Sequence, residues 1–477
     1  MNDCTRKPAD EVRPVASRRD FIRNGVMGAA SISFAALLAR QGALAAELPY
    51  SDDYGPLELV KDYTTGLKLI ALPRGFTYMT YGWTGQPMQD GQRTPAVHDG
   101  MDVVAAKGDE IMLVRNHEQG TSGIAFDTIA YDRGYGFGGT TNVAFDHVRG
   151  QFLRSFPTLT GTVRNCAGGR TPWGTWLTCE ESGNVSPAGV RHGWIFEVPG
   201  YGPATGQPLR AMGKSEWEAV AVDPATGNVY QTEDVTPGGF YKFVPARYGK
   251  LERGGELYAL KVVGADTYNF SGLNGAYVDF APGTTWNVEW VRVTDVEALN
   301  GRIYNSAPGR ACFARPEGCY YDSGKIYFTC TSGGVARQGQ VFVYDPRRET
   351  LTMVFNSTGA GIGNTECNMP DNIAVSPRGG IMLCEDGGNS IQRLRGLTQS
   401  GGTFLFAENR VVLDAAQIAQ VDASLNAGGS IVETIPPGTY TNNEWCGACF
   451  YEKWMFVNLQ TPGITFAITG PWDNGAL

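Results

Sequence analysis

Apolar residues run in short stretches along most of this chain, and Gly or Pro turns separate the stretches in pairs. Runs of about four to six residues flanking a turn predict β-hairpins rather than helices. Five hairpins follow one plan, in which a residue of a metal-ligating type opens the unit and polar residues close it. Cys166 leads to Glu180 and Glu181, and Glu218 leads through Ala-Val-Ala-Val and the turn at 223–227 to Glu233 and Asp234. Glu317 leads through the turn at 322–324 to Thr331, and Asp371 leads through the turn at 376–380 to Glu385 and Asp386. Glu444 leads through the runs at Cys449 and Trp454 to Asn458. A hairpin returns its last residue to the end where its first began, so each unit delivers its polar residues to one common end.

Further apolar runs at 110–115, 141–145, 193–198, 239–244, 340–344 and 464–468 supply outer strands. With an earlier unit from Met101 to His117, the hairpins predict an all-β fold, a six-bladed β-propeller with short helical insertions. Residues 47–87 read as a lead-in with a few short strands, and 247–300 as an insertion. Helices are expected near Val293–Leu299 and Asp414–Leu425.

Composition agrees with short strands and tight turns: 63 glycines, 11% aromatic and only 18% charged residues in 477. A net charge of −9 excludes a nucleic-acid-binding surface, which needs clustered Lys and Arg. The first 46 residues read as a twin-arginine signal peptide. Arg18-Arg19-Asp20-Phe21 precedes an apolar stretch from Gly25 to Leu38, and Ala43-Leu44-Ala45 supplies the small residues of a cleavage site. That stretch is shorter than the roughly 20 residues of a spanning helix, so no stable membrane span is expected. Cleavage removes seven basic and four acidic residues and takes the charge from −9 to −12. The expected protein is periplasmic or secreted, with the twin-arginine export machinery as a partner and residues 47–477 as a single propeller domain. Twin-arginine export carries folded proteins, which suits a cofactor loaded before export.

Carboxylates gathered at one end of a propeller repel one another. Two unit charges 4 Å apart cost on the order of 4 kcal/mol at an effective dielectric near 20, and bound cations are the simplest remedy. Only four histidines occur, so oxygen ligands dominate and calcium is expected. The thiol of Cys166, in the same phase as the carboxylates, suits iron. Arg315 alternates to the face of Glu317, where a guanidinium beside metals would hold a phosphate; an ordinary salt bridge to a carboxylate is the other reading. Nine cysteines follow the signal, an odd number for a disulfide framework, and Cys446-Gly-Ala-Cys449 lacks a second such pair. Zincin, P-loop and nucleophile-elbow motifs are absent from the sequence. On the residues alone, a calcium-dependent propeller lactonase and a non-enzymatic periplasmic binding propeller stay open.

Three long motifs narrow this. Residues 165–181 (NCAGGRTPWGTWLTCEE), 315–318 (RPEG) and 458–472 (NLQTPGITFAITGPW) resemble the PhoX-type alkaline phosphatases, and the resemblance runs from the export signal to the C-terminus. It implies a six-bladed propeller with a buried cluster of iron (Fe3+) and calcium (Ca2+) and hydrolysis of a small phosphomonoester; a monomer is expected. It further implies Cys166, Glu218 and Glu317 as iron ligands. Glu118, Glu181, Glu233, Asp371 and Glu385 would be calcium or shared ligands, and Arg315 the residue that steadies the phosphate. Trp217 stands before Glu218 where the family pattern has His.

Overall fold

The computed structural model describes residues 13–14, 54–272, 279–361, 366–398 and 401–477, and in it the expected hairpins form. Six strands line a common axis: His98–Lys107, Asn165–Arg170, Trp217–Val222, Pro316–Asp322, Pro370–Val375 and Trp445–Tyr451. Each packs against the next, and the sixth returns to the first, so the ring is closed. Each also pairs antiparallel with the second strand of its own hairpin. The architecture is all-β and propeller-like.

Alternation explains how consecutive sheets seal against each other. In Trp217–Val222, Trp217, Val220 and Val222 join the apolar cluster shared with the preceding unit, while Ala219 and Ala221 join the cluster shared with the next. The inner strand is thus buried on both faces, and its residues divide between two interfaces with the period of two of an extended chain. Apolar clusters of this kind lie between each pair of neighbouring units around the ring. Close approach at the axis fixes residue size: a Cβ on Gly169 would sit 1.9 Å from the carbonyl oxygen of Val220.

The lead-in segment closes the ring. Thr77–Tyr81 pairs with Ile464–Thr469 as the outer strand of the last unit, and Ile70–Pro73 pairs with Thr403–Asn409 in the unit before it. The expected insertion at 247–300 instead supplies two strands. Gly255–Val262 extends the third unit, and Thr285–Arg292 pairs with both that strand and Thr350–Asn356 of the fourth, making one nine-stranded sheet.

Of the two expected helices, Ala415–Ser424 forms, started by an Asp414 capping box with Gln417. Residues 293–299 do not form one. The Asp295 carboxylate accepts the backbone N–H of Leu299 and Asn300, and Ala298 takes φ 51°, so a side-chain-stabilised turn displaces the helix. All nine cysteines between 166 and 449 are free and buried. No helix among the described residues is long and apolar enough to cross a membrane. The twin-arginine motif at 17–22 lies outside the described residues.

Candidate metal centre

One irregularity of register repeats in all six units. The inner strand carries one residue more than its partner between the pairs His98–His117 and Met101–Arg115, and the same surplus recurs in the other five hairpins. A bulge of this kind interrupts the alternation of side chains and re-aims the extra residue. Counted from the paired residue before it, the surplus begins at Asp99, Cys166, Glu218, Glu317, Asp371 and Gly447. Five of these six are ligand types. Gly447 has φ 60°, and a Cβ there would lie 2.6 Å from the Asp99 carbonyl oxygen; its unit contributes Glu444 and Cys446 instead.

The bulges are held from neighbouring units. Asn116 Nδ2 donates to the Cys166 carbonyl at 2.9 Å, Thr329 Oγ1 to that of Asp371 at 2.6 Å and Asn458 Nδ2 to that of Asp99 at 2.6 Å. Thr232 Oγ1 donates to the Glu317 carbonyl. A backbone clip adds to this in every unit. The N–H groups of Glu118, Glu181, Asp234, Thr331, Asp386 and Gln460 donate to the carbonyls of Val97, Arg164, Glu216, Arg315, Met369 and Glu444 at 2.8–3.2 Å. Val97, Arg164, Arg315 and Met369 have φ between 49° and 53°. Left-handed backbone at non-glycine residues costs energy and persists where surrounding structure enforces it.

Ligand atoms of Asp99, Cys166 and Glu218 lie within 4.8 Å of one another, as do those of Glu118, Cys166 and Glu181, and of Glu181, Glu218 and Asp234. Across the axis, Asp371, Asp386 and Glu444 form another such group, and Asp99, Glu444 and Cys446 a further one. The groups share members, so they make one continuous cup. Glu317 joins it as a neighbour of Asp371 and Asp234, whose charges act on its carboxyl. Burial, reinforced by carboxylate neighbours, pushes Glu218, Asp99, Glu317 and Glu444 well above the usual carboxylate range. Glu181 is pushed up to about 9, by burial first and then by Asp234 and Glu118, and Asp386 to about 7 by burial and Asp371. Burial and the Asp99 carboxylate likewise raise the Cys166 thiol, which lies 3.6 Å from Asp99 Oδ2. Glu218 Oε1 is buried with no hydrogen-bond partner.

Two guanidiniums stand at the lip. Arg315 donates from Nε and Nη2 to the two oxygens of Asp234 at 2.9 and 3.1 Å, and its Nη2 is 2.6 Å from Glu317 Oε1, an ion pair without hydrogen-bond direction. Arg164 donates from Nε to Glu118 at 2.9 Å and from Nη2 to Glu181. Behind the bulges, Gly100, Ala167, Gly318 and Ala448 border a cavity of about 490 Å³ that Arg170 and Tyr320 also line.

Of the expected site residues, the structure brings Cys166, Glu218, Glu317, Glu118, Glu181, Asp371 and Arg315 together on the axis. It does not bring Glu233 or Glu385. Glu233 accepts hydrogen bonds from Ser215 Oγ, the Gly239 N–H and the Tyr241 hydroxyl, and pairs with Arg302 at 2.9 Å. Glu385 pairs with Arg395 at 2.6 Å and accepts from the N–H groups of Asn368 and Arg393. Their neighbours Asp234 and Asp386 face the cup instead. Sequence reasoning missed Asp99 as well. Its signal is its offset: Asp99-Gly-Met precedes an apolar run as Glu317-Gly-Cys and Asp371-Asn-Ile do.

An unpartnered buried carboxylate oxygen, carboxyls pushed toward protonation by burial and by each other, and a thiol in their midst are a donor set that fits metal cations. Guanidiniums beside such a set suit a phosphoryl oxyanion. Together the fold and site define a propeller-like hydrolase of phosphoric monoesters. Residues 52–144 and 139–463 match the family profile of alkaline phosphatase PhoX. The chain belongs to the PhoX alkaline phosphatase family, which sets aside the lactonase and non-enzymatic readings.

Among solved structures, PhoX of Pseudomonas fluorescens in complex with vanadate, a transition-state analogue, superposes with a TM-score of 0.61 at 17% identity. The match covers 89% of this chain and 99% of that one, and at this identity it speaks for the fold. A Bacteroides thetaiotaomicron protein of unknown function matches at TM-score 0.42 and 10% identity, over 83% of this chain and 76% of its own. A gluconolactonase from Xanthomonas campestris matches at 0.29 and 14%, over 79% and 97%. Neither of these two carries a functional argument. No curated protein matches the chain.

Proposed function

We propose that this chain is an exported phosphatase that hydrolyses phosphomonoesters at a cluster of iron and calcium ions on the axis of a six-bladed propeller. The observation that carries the proposal is the cup itself, where Cys166 and Glu218, with Glu218 Oε1 unpartnered, face Asp99, Glu181 and Asp234 without cations of the chain to neutralise them all. Cys166, Glu218 and Glu317 would hold iron; Glu118, Glu181 and Asp371 would hold calcium or bridge, joined by Asp99, Asp234, Asp386 and Glu444. Glu233 and Glu385 act one step removed, by fixing the strands that carry Asp234 and Asp386. Bound cations would supply positive charge to the phosphoryl oxygens as bonds to phosphorus change.

The chain's own residues hold and orient the substrate. Asp234 and Glu317 lock the Arg315 guanidinium by Nε and Nη2, which leaves Nη1 for the phosphate. A fixed guanidinium loses little entropy on gripping an oxyanion and gains as charge builds on it. The carboxylates would act as ligands rather than as acid and base, because bound cations would hold their oxygens and offset the charge that develops on the phosphoryl group. Vanadate in the P. fluorescens protein supports a phosphoryl site in this fold. Residues 1–46 would direct export and be removed, leaving 47–477 as one monomeric domain. The test is paired. Purified Cys166→Ala and Glu317→Ala proteins should lose iron and aryl-phosphate hydrolysis together, and full hydrolysis in either sinks the assignment.

A further inference from the structure

We propose that Arg164 is a second phosphate-binding residue, which with Arg315 forms a two-guanidinium clamp that selects phosphomonoesters over diesters; this rests on the phosphatase reading above. Arg164 and Arg315 occupy the same place in their units. Each stands two residues before a bulge residue, Cys166 and Glu317, with φ of 53° and 49°. The carbonyl of each accepts the clip from the end of its second strand, Glu181 N–H and Thr331 N–H. Other units put Val97, Glu216, Met369 and Glu444 there, so only these two place a cation at this level.

Their side chains are committed alike. Arg164 spends Nε and Nη2 on Glu118 and Glu181, and Arg315 spends the same atoms on Asp234 and Glu317. Nη1 of each makes no hydrogen bond within the described residues, and the side chains are 47% and 33% exposed. The anchoring carboxylates Glu118 and Glu181 are only 11% and 10% exposed, so Arg164 is fixed rather than a drifting surface pair. The two arginines also converge. Glu181, partner of Arg164, and Asp234, partner of Arg315, have ligand atoms within 4.8 Å of each other, and both guanidiniums favour the charged form of Glu181. The clamp places the phosphate between them, at the two Nη1 groups that the carboxylates leave uncommitted.

Chemistry sets what fills it. A phosphomonoester carries up to two charges on three non-bridging oxygens, one charge for each guanidinium, whereas a diester offers two such oxygens and one charge. Selection for the monoester follows from the second guanidinium. The test compares native protein with R164M, R164K and, as control, R315M. It reads kcat/KM for an aryl phosphate and for a bis-aryl phosphate, inhibition by inorganic phosphate, and bound metal by elemental analysis. R164M should lose about a hundredfold in kcat/KM on the monoester and about tenfold or less on the diester. Inorganic phosphate should inhibit it about tenfold more weakly, R164K should fall between, and metal content should match the native protein. Unchanged phosphate inhibition overturns the clamp, as does activity per bound metal that stays at the native value in both Arg164 variants. If R315M is crippled and R164M is not, the clamp fails and the phosphatase reading survives. A native protein inactive on the monoester sinks that reading instead, and calorimetry of inorganic phosphate binding to native protein and R164M then decides the clamp.

Discussion

Adjacent acids in this protein live in opposite worlds. Glu180, Glu233 and Glu385 are all fully buried, and each is saturated by the chain: Glu180 by His192 and three N–H groups, Glu233 by Arg302, Tyr241 and Ser215, and Glu385 by Arg395 and two N–H groups. One residue further on, Glu181, Asp234 and Asp386 lie among other ligand-type residues, and only the lip arginines Arg164 and Arg315 meet the first two. The fold can neutralise a buried acid, and does so three times in the layer behind. Where it gathers acids instead, it leaves charge for something from outside. The bulges make that difference, since they aim the inner strands at the second acid of each pair and not at the first.

The sharpest break of this contrast is at the cup. Chelation of the native protein should abolish phosphatase activity by at least about a hundredfold and lower the melting temperature, because a cation that binds only the folded state stabilises it. An activity assay with calorimetry checks both. The layer behind should respond through stability. Glu385→Leu removes the carboxylate that holds Arg395 in a fully buried pair, at a cost of about 3–5 kcal/mol in urea unfolding. Asp386→Asn should do the reverse in metal-free protein. Its carboxyl is raised to about 7 by burial and Asp371, so neutralising it should stabilise the metal-free protein by at least about 1 kcal/mol near pH 8, whereas the metal-loaded enzyme should lose activity. Asn116→Ala, which frees the Cys166 and Ala167 carbonyls, should cost about 1–3 kcal/mol.

The smallest effect is a pH dependence. Burial opposes charge on His192, yet the hydrogen bonds and charges of Glu180 and Asp132 outweigh it and raise its pKa. A raised folded value stabilises fully below the unfolded pKa of about 6.5 and is lost as pH rises through the folded value. Unfolding free energies measured across that window should decline in the native protein and lose this slope in His192→Gln.

Much of this was legible in sequence because it is local. Hairpins such as Glu218 to Asp234 announce themselves by apolar runs and an Asp-Pro-Ala-Thr-Gly turn. Residues that open a unit, such as Cys166, Glu218, Glu317 and Asp371, share a visible phase. What was not legible depends on a bulge or on distant pairing. A Glu-Asp pair gives no sign of which acid faces the axis, since one extra residue across the ladder reverses the answer. Hence Glu233 and Glu385 were expected where Asp234 and Asp386 stand. Asp99 is hidden in the sequence because the apolar run of its unit begins only at Met101. The pairing of Thr77–Tyr81 with Ile464–Thr469 joins segments far apart in sequence, and no local pattern foretells it.

The most direct test of the central claim is a metal count. Protein purified in its folded, exported form without chelator should carry iron together with more than one calcium per chain, and should release them on denaturation. Full phosphatase activity and native stability in a preparation holding neither metal would contradict the account.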